Sequence, residues 1–329
     1  MTDRISGSVF KQMVLFGAAC ITLERETIND LNVFPVPDGD TGTNMSLTIQ
    51  TAAAELKKNQ PVSVSDAASI TASALLRGAR GNSGVILSLL FRGISKHLKG
   101  MNEADGVQLA AAMKEGVSTA YSAVMKPAEG TVLTVSRLAA DRAAQAAQEC
   151  NSVEYVLQEA IRTGLETLDE TIEMNPVLKK AGVVDAGGKG YLVILDGMLR
   201  ALRGEAIPEV NEAKAEGKAD FSAISQEEIT FTFDTVFIVR KWENTSIEPL
   251  RAYLSTIGDS LVIGEDDEAF KVHVHTDIPG NALTEAQKYG TLELAKIENM
   301  RTQYDAVAAG QKAQSTDDLD QIEQELEAG

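Results

Sequence analysis

Basic, aromatic and cysteine residues are all scarce in this sequence of 329 residues. It contains 30 Lys and Arg against 48 Asp and Glu, which gives a formal net charge of −18. A chain this acidic repels other polyanions, so nucleic acid and anionic membrane surfaces are poor expected partners. An anionic ligand would need divalent cations and local hydrogen-bond donors to bind here.

The low count of cysteine argues against a disulfide-stabilised protein, and the lack of long apolar runs argues against a membrane-spanning one. Cys20 and Cys150 form neither a CxxC motif nor a disulfide framework. No stretch reaches the ~18–20 apolar residues that a membrane helix needs, and the N-terminus lacks an apolar signal region. These absences predict a cytosolic, reducing setting without integral membrane contact. Aromatic residues are 5% of the chain but hydrophobic residues are 44%, which favours an interior of closely packed helices.

The first two thirds of the chain carry apolar residues at helical spacing. The glycines cluster between these segments, and strand-like alternation is absent. The pattern predicts an all-helical domain over residues 1–205 whose loops hold the unusual chemistry. Its predicted helices are Phe10–Leu31, Met45–Lys58, Ser65–Leu76, Val85–Leu98, Val107–Met125, Leu133–Ala147, Val153–Leu168 and Gly190–Leu202.

The last third changes in composition and in rhythm. Residues 206–228 are rich in Glu, Lys, Ala, Asn and Gly and are predicted to be a linker. Residues 229–309 are predicted to form a smaller α+β domain in the ferredoxin-like order βαββαβ. Its elements are strand Ile229–Arg240, helix Ser246–Ile257, strands Ser260–Gly264 and Phe270–Thr276, helix Gly280–Tyr289 and strand Leu292–Ile297. Residues 310–329 are expected to be an acidic frayed tail or a linker to a missing C-terminal domain.

The loop between Asn32 and Asn44, NVFPVPDGDTGTN, concentrates oxygen ligands in a short stretch. Asp38 and Asp40 lie two residues apart, so an extended backbone places both carboxylates on one side. Mg²⁺ prefers oxygen ligands, and Asn32 offers a third. A single Asp-Gly pair would be read as an Asx turn. The density of oxygens across the whole loop favours a metal–phosphate site instead.

Three further glycine-rich loops each open a predicted helix: Gly78–Gly84, Lys126–Thr131 and Asp185–Gly190. A helix N-terminus offers unpaired N–H groups and the positive end of the helix dipole, which suit phosphate. In the first of these loops Ser83 can cap the helix or donate to a phosphate, and Arg80 can clamp phosphate oxygens. In the last of these loops, Asp185 can cap the helix or bond a ribose. Taken alone, Gly78–Gly84 is equally typical of an ordinary capped connection and lacks P-loop spacing. Lys126–Thr131 is more typical of such a connection, and Asp185–Gly190 does not decide between the two interpretations.

Two of the three histidines, His273 and His275, lie two residues apart on a predicted strand. This spacing directs both imidazoles to one face of the sheet, which suits a Zn²⁺ site that gains further ligands elsewhere. The alternative is a pair of structural or solvent-facing histidines. The sequence pattern alone leaves both readings open.

Taken together, the four loops resemble a known kinase family. They are similar to the nucleotide-binding subunit of dihydroxyacetone kinases, and more closely to the N-terminal domain of bacterial fatty acid kinases, which associate with DegV-like fatty-acid-binding proteins. The resemblance extends into the second domain. The stretches that carry it are Asn32–Asn44, Gly78–Ser88, Glu129–Thr131, Ala181–Gly188, Val272–Thr276 and Lys296–Arg301.

The resemblance implies an α-helical barrel, like the dihydroxyacetone kinase L subunit, that binds ATP or ADP with two Mg²⁺ at one end. Asn32, Asp38 and Asp40 would hold the Mg²⁺. It also implies a zinc site that a cysteine on the first strand of the second domain completes; here the matching position is Asp234, which makes a harder site with His273 and His275. The nucleotide contacts would come from Thr41, Thr43, Asn44, Arg80, Asn82, Ser83, Gly84, Thr131, Asp185, Ala186 and Gly187.

The reaction implied by the family is ATP-dependent phosphorylation of a fatty acid held by a DegV-like carrier, giving an acyl phosphate. A carboxylate acceptor is ionised at neutral pH, so no general base is assigned. One alternative is a dihydroxyacetone-type small-molecule kinase subunit. Another is a nucleotide-binding scaffold, or a fragment that lacks the carrier-binding domain and has no activity of its own. The ferredoxin-like domain is also a reasonable surface for a homodimer.

Overall fold

The computed structural model describes residues 2–35, 37–208 and 230–308. The predicted linker, apart from residues 206–208, and the whole predicted tail lie outside these ranges. Among the described residues, no helix has the length and hydropathy needed to cross a membrane. Two architectures follow one another along the chain, a helical one up to residue 202 and a sheet from residue 233.

The first part is helical, as the sequence predicts. A small antiparallel ribbon of two-residue strands, β1 (Arg4–Ile5) and β2 (Ala104–Asp105), ties the start of the chain to a distant loop. The helices are α1 (Gly7–Leu23), α2 (Arg25–Asn29), α3 (Thr41–Lys58), α4 (Val64–Gly78), α5 (Gly81–Leu98), α6 (Gly106–Ala123), α7 (Val132–Glu149), α8 (Val153–Met174), α9 (Pro176–Ala181) and α10 (Ala186–Leu202).

Three local features differ from the sequence prediction. The segment predicted as one helix from Phe10 to Leu31 is broken at Glu24 into α1 and α2. The short helix α9 was missed, although Asn175 caps it and Pro176 occupies its first turn, a recognisable start signal. The absence of strands was also wrong, because β1 and β2 are too short to produce an alternating pattern.

Eight of these helices close into a barrel. In the order α1, α3, α4, α5, α6, α7, α8 and α10, each helix packs against the next, and α10 returns to α1. Small residues allow the close approach: a Cβ added at Gly93 of α5 would lie 2.3 Å from the carbonyl oxygen of Glu115 in α6. The interior is rich in alanine, with Ala139, Ala140 and Ala143 fully buried. The expectation of a closely packed helical barrel is confirmed.

The second part has the predicted βαββαβ order, followed by a helix that the sequence reading missed. The elements are β3 (Phe233–Lys241), α11 (Glu248–Ile257), β4 (Gly258–Glu265), β5 (Ala269–Thr276), α12 (Pro279–Ala286), β6 (Gly290–Asn299) and α13 (Met300–Ala308). The strands form one antiparallel sheet in the order β4-β5-β3-β6, which is the ferredoxin-like arrangement.

The two faces of this sheet have different roles. One face packs Phe237, Val272 and Val274 against α11 and α12 in a separate hydrophobic core. Side chains alternate along a strand, so the intervening residues of β5 point to the other face. That other face packs on the barrel, and Val262 of β4 belongs to the barrel's own core. We call it the barrel-facing side of the sheet.

Backbone contacts fix the sheet to the end of the barrel. Val124, just after α6, forms an antiparallel bridge with Val262. The N–H of Met125 donates to the carbonyl oxygen of Leu261 at 3.2 Å, and Arg251 Nη1 donates to the carbonyl oxygen of Ala123 at 3.2 Å. The barrel-facing side of the sheet therefore covers the region where several of the glycine-rich loops lie.

Candidate functional site

A cavity of about 310 Å³ lies between the end of the barrel and the sheet. Both parts of the chain contribute to its wall. The structure brings most of the sequence candidates together there, although they come from loops more than 200 residues apart. The candidates on the wall are Asn32, Asp38, Asp40, Thr41, Asn44, Asn82, Ser83, Thr131, Asp185, Gly187, Asp234, His273 and His275.

Four candidates are not among the described residues that line this wall: Thr43, Arg80, Gly84 and Ala186. Thr43 is engaged by Asn29 instead, since its hydroxyl accepts from Asn29 Nδ2 at 3.0 Å and its N–H donates to Asn29 Oδ1 at 3.0 Å. Gly84 supports helix packing, because a Cβ there would lie 2.4 Å from Thr48 Oγ1. Thr43 and Gly84 therefore support the loops by contacts with neighbouring helices rather than on the cavity wall.

Four helix N-termini converge on the cavity. Helices α3, α5, α7 and α10 are every second helix around the barrel, and each begins at a wall residue or directly beside one. The positive ends of their dipoles meet there and favour an anion. Within the described residues, α3 and α5 begin without a side-chain cap, whereas Thr131 caps α7 and Asp185 caps α10. At the start of α3, however, the N–H groups of Thr41 and Thr43 donate to the side chains of Asn32 and Asn29.

Asn32 organises the acidic loop at the start of α3. It is almost fully buried, and its Nδ2 donates to Asp38 Oδ1 at 3.0 Å. Its Oδ1 accepts from the N–H of Thr41 at 3.2 Å and from the Thr41 hydroxyl. In this arrangement Asn32 orients one carboxylate and ties it to the first turn of the helix. Gly39 between the two aspartates has a φ of 69°, a turn that a residue with a Cβ adopts with difficulty.

The two aspartates of this loop have raised pKa values. For Asp38 the main cause is burial, followed by repulsion from Asp40. For Asp40 burial again dominates, and the carboxylates of Asp234 and Glu298 raise its pKa further, against hydrogen bonds that lower it. Two neighbouring carboxylates that both resist ionisation form a site that a divalent cation would stabilise, because the cation supplies the missing positive charge.

Asp185 joins the starts of two helices. Its Oδ2 accepts from the N–H of Gly188 in α10 at 2.6 Å, and it also accepts from the N–H of Val132 in α7. Its own N–H donates to Thr171 Oγ1 at 3.1 Å. Burial raises the pKa of Asp185 to about 7, although these hydrogen bonds oppose the shift. Of the two roles open to it, the structure shows the helix cap.

On the barrel-facing side of the sheet, Asp234, His273 and His275 form a compact cluster. One ligand atom from each lies within 4.8 Å of the others. The two Nε2 atoms of His273 and His275 are 3.2 Å apart, and His273 Nδ1 is 3.3 Å from Asp234 Oδ1. Asp234 Oδ1 and His273 Nδ1 are buried, and neither has a hydrogen-bond partner within the described part of the chain. Coordination of a metal ion would satisfy them.

The protonation states of the cluster also suit a metal. Burial, together with the nearby Lys271 and Lys296, lowers the pKa of His273 to about 3. Burial and the neighbouring His273 lower the pKa of His275 to about 4. Both imidazoles are therefore neutral at pH 7, the form that binds metal ions. Burial raises the pKa of Asp234 to about 6, so a nearby cation would favour its ionised form.

Two polar residues that the sheet contributes to the wall were not predicted from the sequence: Asp259 and Ser260. They lie where the register of β4 against β5 shifts between Asp259 and Val262, and Ser260 has a φ of 51°. Asp259 Oδ1 lies 3.6 Å from His275 Nδ1. A β-bulge of this kind carries no glycine or proline signal, so only the three-dimensional pairing reveals it.

Comparison with family models divides the chain at the same place as the fold. Residues 35–200 match the DAK2 domain. Residues 230–307 match the FakA-like middle domain, which is named for fatty acid kinase. The first match covers the helix starts around the cavity, and the second covers the sheet with its histidine cluster. Both models belong to kinase-related proteins, which indicates a kinase-related function and nucleotide use.

Whole-chain relatives have the same two parts. Protein YloV of Bacillus subtilis is 41% identical over 315 residues, which are 92% of this chain and 57% of that protein. An uncharacterized protein of Staphylococcus saprophyticus is 41% identical over 340 residues, covering 98% of this chain and 61% of its own length. The chain thus spans about three fifths of the curated relatives it matches.

Among solved structures, the dihydroxyacetone kinase of C. freundii in its native form is 18% identical, with a TM-score of 0.46. The similarity covers 61% of this chain and 35% of that one. The family assignment depends instead on the two domain models and their order along the chain. By that criterion, the chain belongs to the DAK2-domain family of fatty acid kinase type, in which a DAK2 domain precedes a FakA-like middle domain.

Proposed function

We propose that this chain is the nucleotide-binding part of a kinase that transfers the γ-phosphoryl group of Mg-ATP to the carboxylate of a fatty acid, which a DegV-like carrier protein presents. One observation carries the proposal: four helix N-termini and a pair of aspartates with raised pKa values meet in one cavity. Helix N-termini favour an anion and the aspartates favour cations. A polyphosphate with bound Mg²⁺ satisfies both.

Asp38 and Asp40 are the residues that would hold Mg²⁺. Their carboxylates provide the oxygen ligands that Mg²⁺ prefers, and Asn32 orients Asp38 from behind. The resemblance to the family supports two ions in this corner. Bound Mg²⁺ would neutralise the phosphate charge that the acidic chain otherwise repels.

The start of α5 would hold the phosphates. Asn82 and Ser83 both line the wall, and the side-chain amide N–H₂ and the hydroxyl are groups that can donate hydrogen bonds to phosphate oxygens. Asn44 of α3 lies beside them, since a Cβ on Gly81 would be 2.3 Å from Asn44 Nδ2. The wall around Thr131 and Gly187 would receive the nucleoside part of the ligand, where small residues allow backbone to approach it.

Phosphorylation of a fatty acid requires no general base from the protein. A carboxylic acid with a reference pKa of about 4–5 is already ionised at pH 7, so it can attack the γ-phosphorus without losing a proton. A new bond forms between the carboxylate oxygen and phosphorus, the bond to the β-phosphate oxygen breaks, and ADP leaves. The remaining requirement is to position both reactants and to neutralise charge.

We further propose that Asp234, His273 and His275 hold a transition-metal ion, with Zn²⁺ as the expected species. Two neutral imidazoles with one carboxylate form a donor set that zinc accepts. The orphaned Asp234 Oδ1 and His273 Nδ1 support this assignment. A bound ion would fix the barrel-facing side of the sheet next to the acidic loop.

The function is tested by supplying the chain with ATP, Mg²⁺, a fatty acid and a DegV-like carrier, and trapping acyl phosphate with hydroxylamine. Parallel reactions replace the acid and carrier with dihydroxyacetone. Acyl phosphate supports the proposal, whereas dihydroxyacetone phosphate would assign a small-molecule acceptor. Failure to bind Mg-nucleotide by calorimetry would refute the nucleotide site itself, independently of the acceptor.

A further inference from the structure

We propose that Lys271 of β5 is a positioning residue for the phosphate-binding start of α5, so that the sheet of the second domain sets the barrel's affinity for Mg-nucleotide. The inference rests on the proposed nucleotide site but concerns a residue outside it. Lys271 is not on the cavity wall. It acts through the connection between α4 and α5.

Lys271 reaches from the sheet into the barrel. Only 3% of the residue is exposed. Its Nζ donates to the carbonyl oxygen of Ala79 and lies 3.4 Å from that of Arg77. These carbonyls are at the C-terminal end of α4, where backbone oxygens lack partners inside the helix and where the helix dipole favours a cation. The second domain therefore supplies the cap for a helix of the first.

The connection that follows α4 is very short. Ala79 and Arg80 alone separate α4 from α5. On the side of α3, the N–H of Arg80 donates to Thr48 Oγ1 at 3.0 Å. On the side of the sheet, Lys271 holds the carbonyl of Ala79. Gly81 then begins α5 with a φ of 54°. The connection is fixed from both sides, and together these contacts set the direction in which the first N–H groups of α5 point.

The surrounding contacts show why the amine is the important group. Beside Lys271 in the sheet, Gly264 packs so closely that a Cβ would lie 2.9 Å from Leu76 Cδ1. Arg77 also forms an ion pair with Glu268 at 2.7 Å, but both side chains are more than half exposed. Exposed ion pairs contribute little. A buried lysine, by contrast, is retained only if polar partners compensate its desolvation, and its partners here are the carbonyls of this connection.

The test compares variants of the whole chain. Lys271→Met keeps most of the aliphatic stem and removes the amine. Lys241→Met is the matched control, because Lys241 is also partly buried but bonds Glu265 at 3.0 Å within the second domain. Lys271→Arg restores a cationic donor. Calorimetry measures the Kd for Mg-ATP, and hydrogen exchange measures the protection of residues 79–84.

We expect Lys271→Met to raise the Kd for Mg-ATP about tenfold, as for loss of a charge-assisted hydrogen bond. Exchange at residues 79–84 should accelerate more than exchange in β5. Lys241→Met should stay within about twofold of wild type, and Lys271→Arg should recover most of the lost affinity. A purely structural role would instead change thermal stability without this local signature.

A Kd for Lys271→Met within about twofold of wild type, in a protein that unfolds cooperatively, would overturn the inference. If Lys271→Met does not fold, Lys271→Leu, which also removes the donor, is held to the same threshold. The two proposals fail separately. Wild type that does not bind Mg-ATP refutes the nucleotide site, whereas wild type that binds and a Lys271→Met variant that binds equally well refute only the positioning role.

Discussion

Two clusters of candidate metal ligands lie on the cavity wall, and they differ in ligand chemistry. Asp38 and Asp40 offer only carboxylates and lie in the loop that leads into α3. The cluster of Asp234, His273 and His275 combines one carboxylate with two buried imidazoles on a sheet. Oxygen ligands favour hard ions such as Mg²⁺, and imidazoles favour Zn²⁺ and similar ions. If both proposed sites bind metal, this difference in ligand type predicts that they bind different ions.

The two clusters nevertheless influence each other. The carboxylate of Asp234, on the sheet, raises the pKa values of both Asp38 and Asp40 on the barrel. A cation bound at the histidine cluster would offset the charge of Asp234 and so make ionisation of the acidic loop easier. In this way the second domain would act electrostatically on the proposed nucleotide site, in addition to the role proposed for Lys271.

Removing a carboxylate from the acidic loop should have the largest effect. We expect Asp38→Asn or Asp40→Asn to weaken Mg-ATP binding by about 100-fold or more, because each removes a charged ligand of the proposed Mg²⁺. Calorimetry measures the affinity, and Asp169→Asn on the exposed surface of α8 is the matched control. Unchanged affinity in both loop variants would remove the basis for a metal in this corner.

Removing the two imidazoles should affect the metal at the histidine cluster but not the proposed metal at the acidic loop. The double variant His273→Ala, His275→Ala should lose bound transition metal on elemental analysis, whereas Asp38→Asn should retain it. His97→Ala, which removes the remaining histidine from α5, is the control. Retention of the metal by the double variant, or an equal loss from Asp38→Asn, would contradict the proposal that the two clusters bind separate ions.

The pH dependence of stability provides a third test. Burial raises the pKa of Asp185 to about 7, well above its value in the unfolded chain. The folded state therefore holds the proton more tightly, so this group's contribution to stability is full at pH 4 and is lost as pH rises toward 7. Asp185→Asn keeps a side-chain oxygen that can cap the helix, but the amide side chain does not titrate.

Urea unfolding of wild type and Asp185→Asn at pH 5 and pH 8, both in EDTA, measures this effect. The free energy of unfolding of wild type should fall more between these pH values than that of the variant. Equal falls would show that Asp185 does not titrate in this range. In a parallel series without EDTA, Mg-ADP should flatten the fall in wild type, because Mg²⁺ would keep the carboxylates of the acidic loop ionised.

The smallest effect is expected at the edge of the histidine cluster. Asp259 Oδ1 is 3.6 Å from His275 Nδ1, too far for a hydrogen bond, and the side chain is one third exposed. Asp259→Asn should weaken metal retention by about threefold, less than the roughly 10- to 100-fold loss typical when a residue hydrogen-bonded to a metal ligand is removed. Competition with a chelator measures it. A loss as large as that of the histidine variant would add Asp259 to the ligand set.

The sequence predicted the parts of the fold that depend on local pattern. Apolar spacing identified the barrel helices, and alternation identified the βαββαβ order. It also selected the loops that meet at the cavity, because each combines small residues with a helix start. Thr43 shows the limit: its position in the acidic loop suggested a nucleotide contact, but Asn29 of the preceding helix engages it.

Contacts between the two parts of the chain were beyond the sequence reading. The bridge between Val124 and Val262 and the reach of Lys271 to Ala79 join residues more than 130 positions apart. No local pattern encodes such pairs, since they depend on how one complete domain packs on another. The same reasoning explains Ser260, whose bulge is visible only in the register of β4 against β5.

Nucleotide binding in this cavity is proposed to depend on a metal held by Asp38 and Asp40. The most direct test is calorimetric titration of wild-type chain with ADP, once with Mg²⁺ and once with EDTA. We predict binding with Mg²⁺ and a loss of at least about 100-fold in affinity without it. Equal affinity under both conditions, or no binding under either, would contradict this claim.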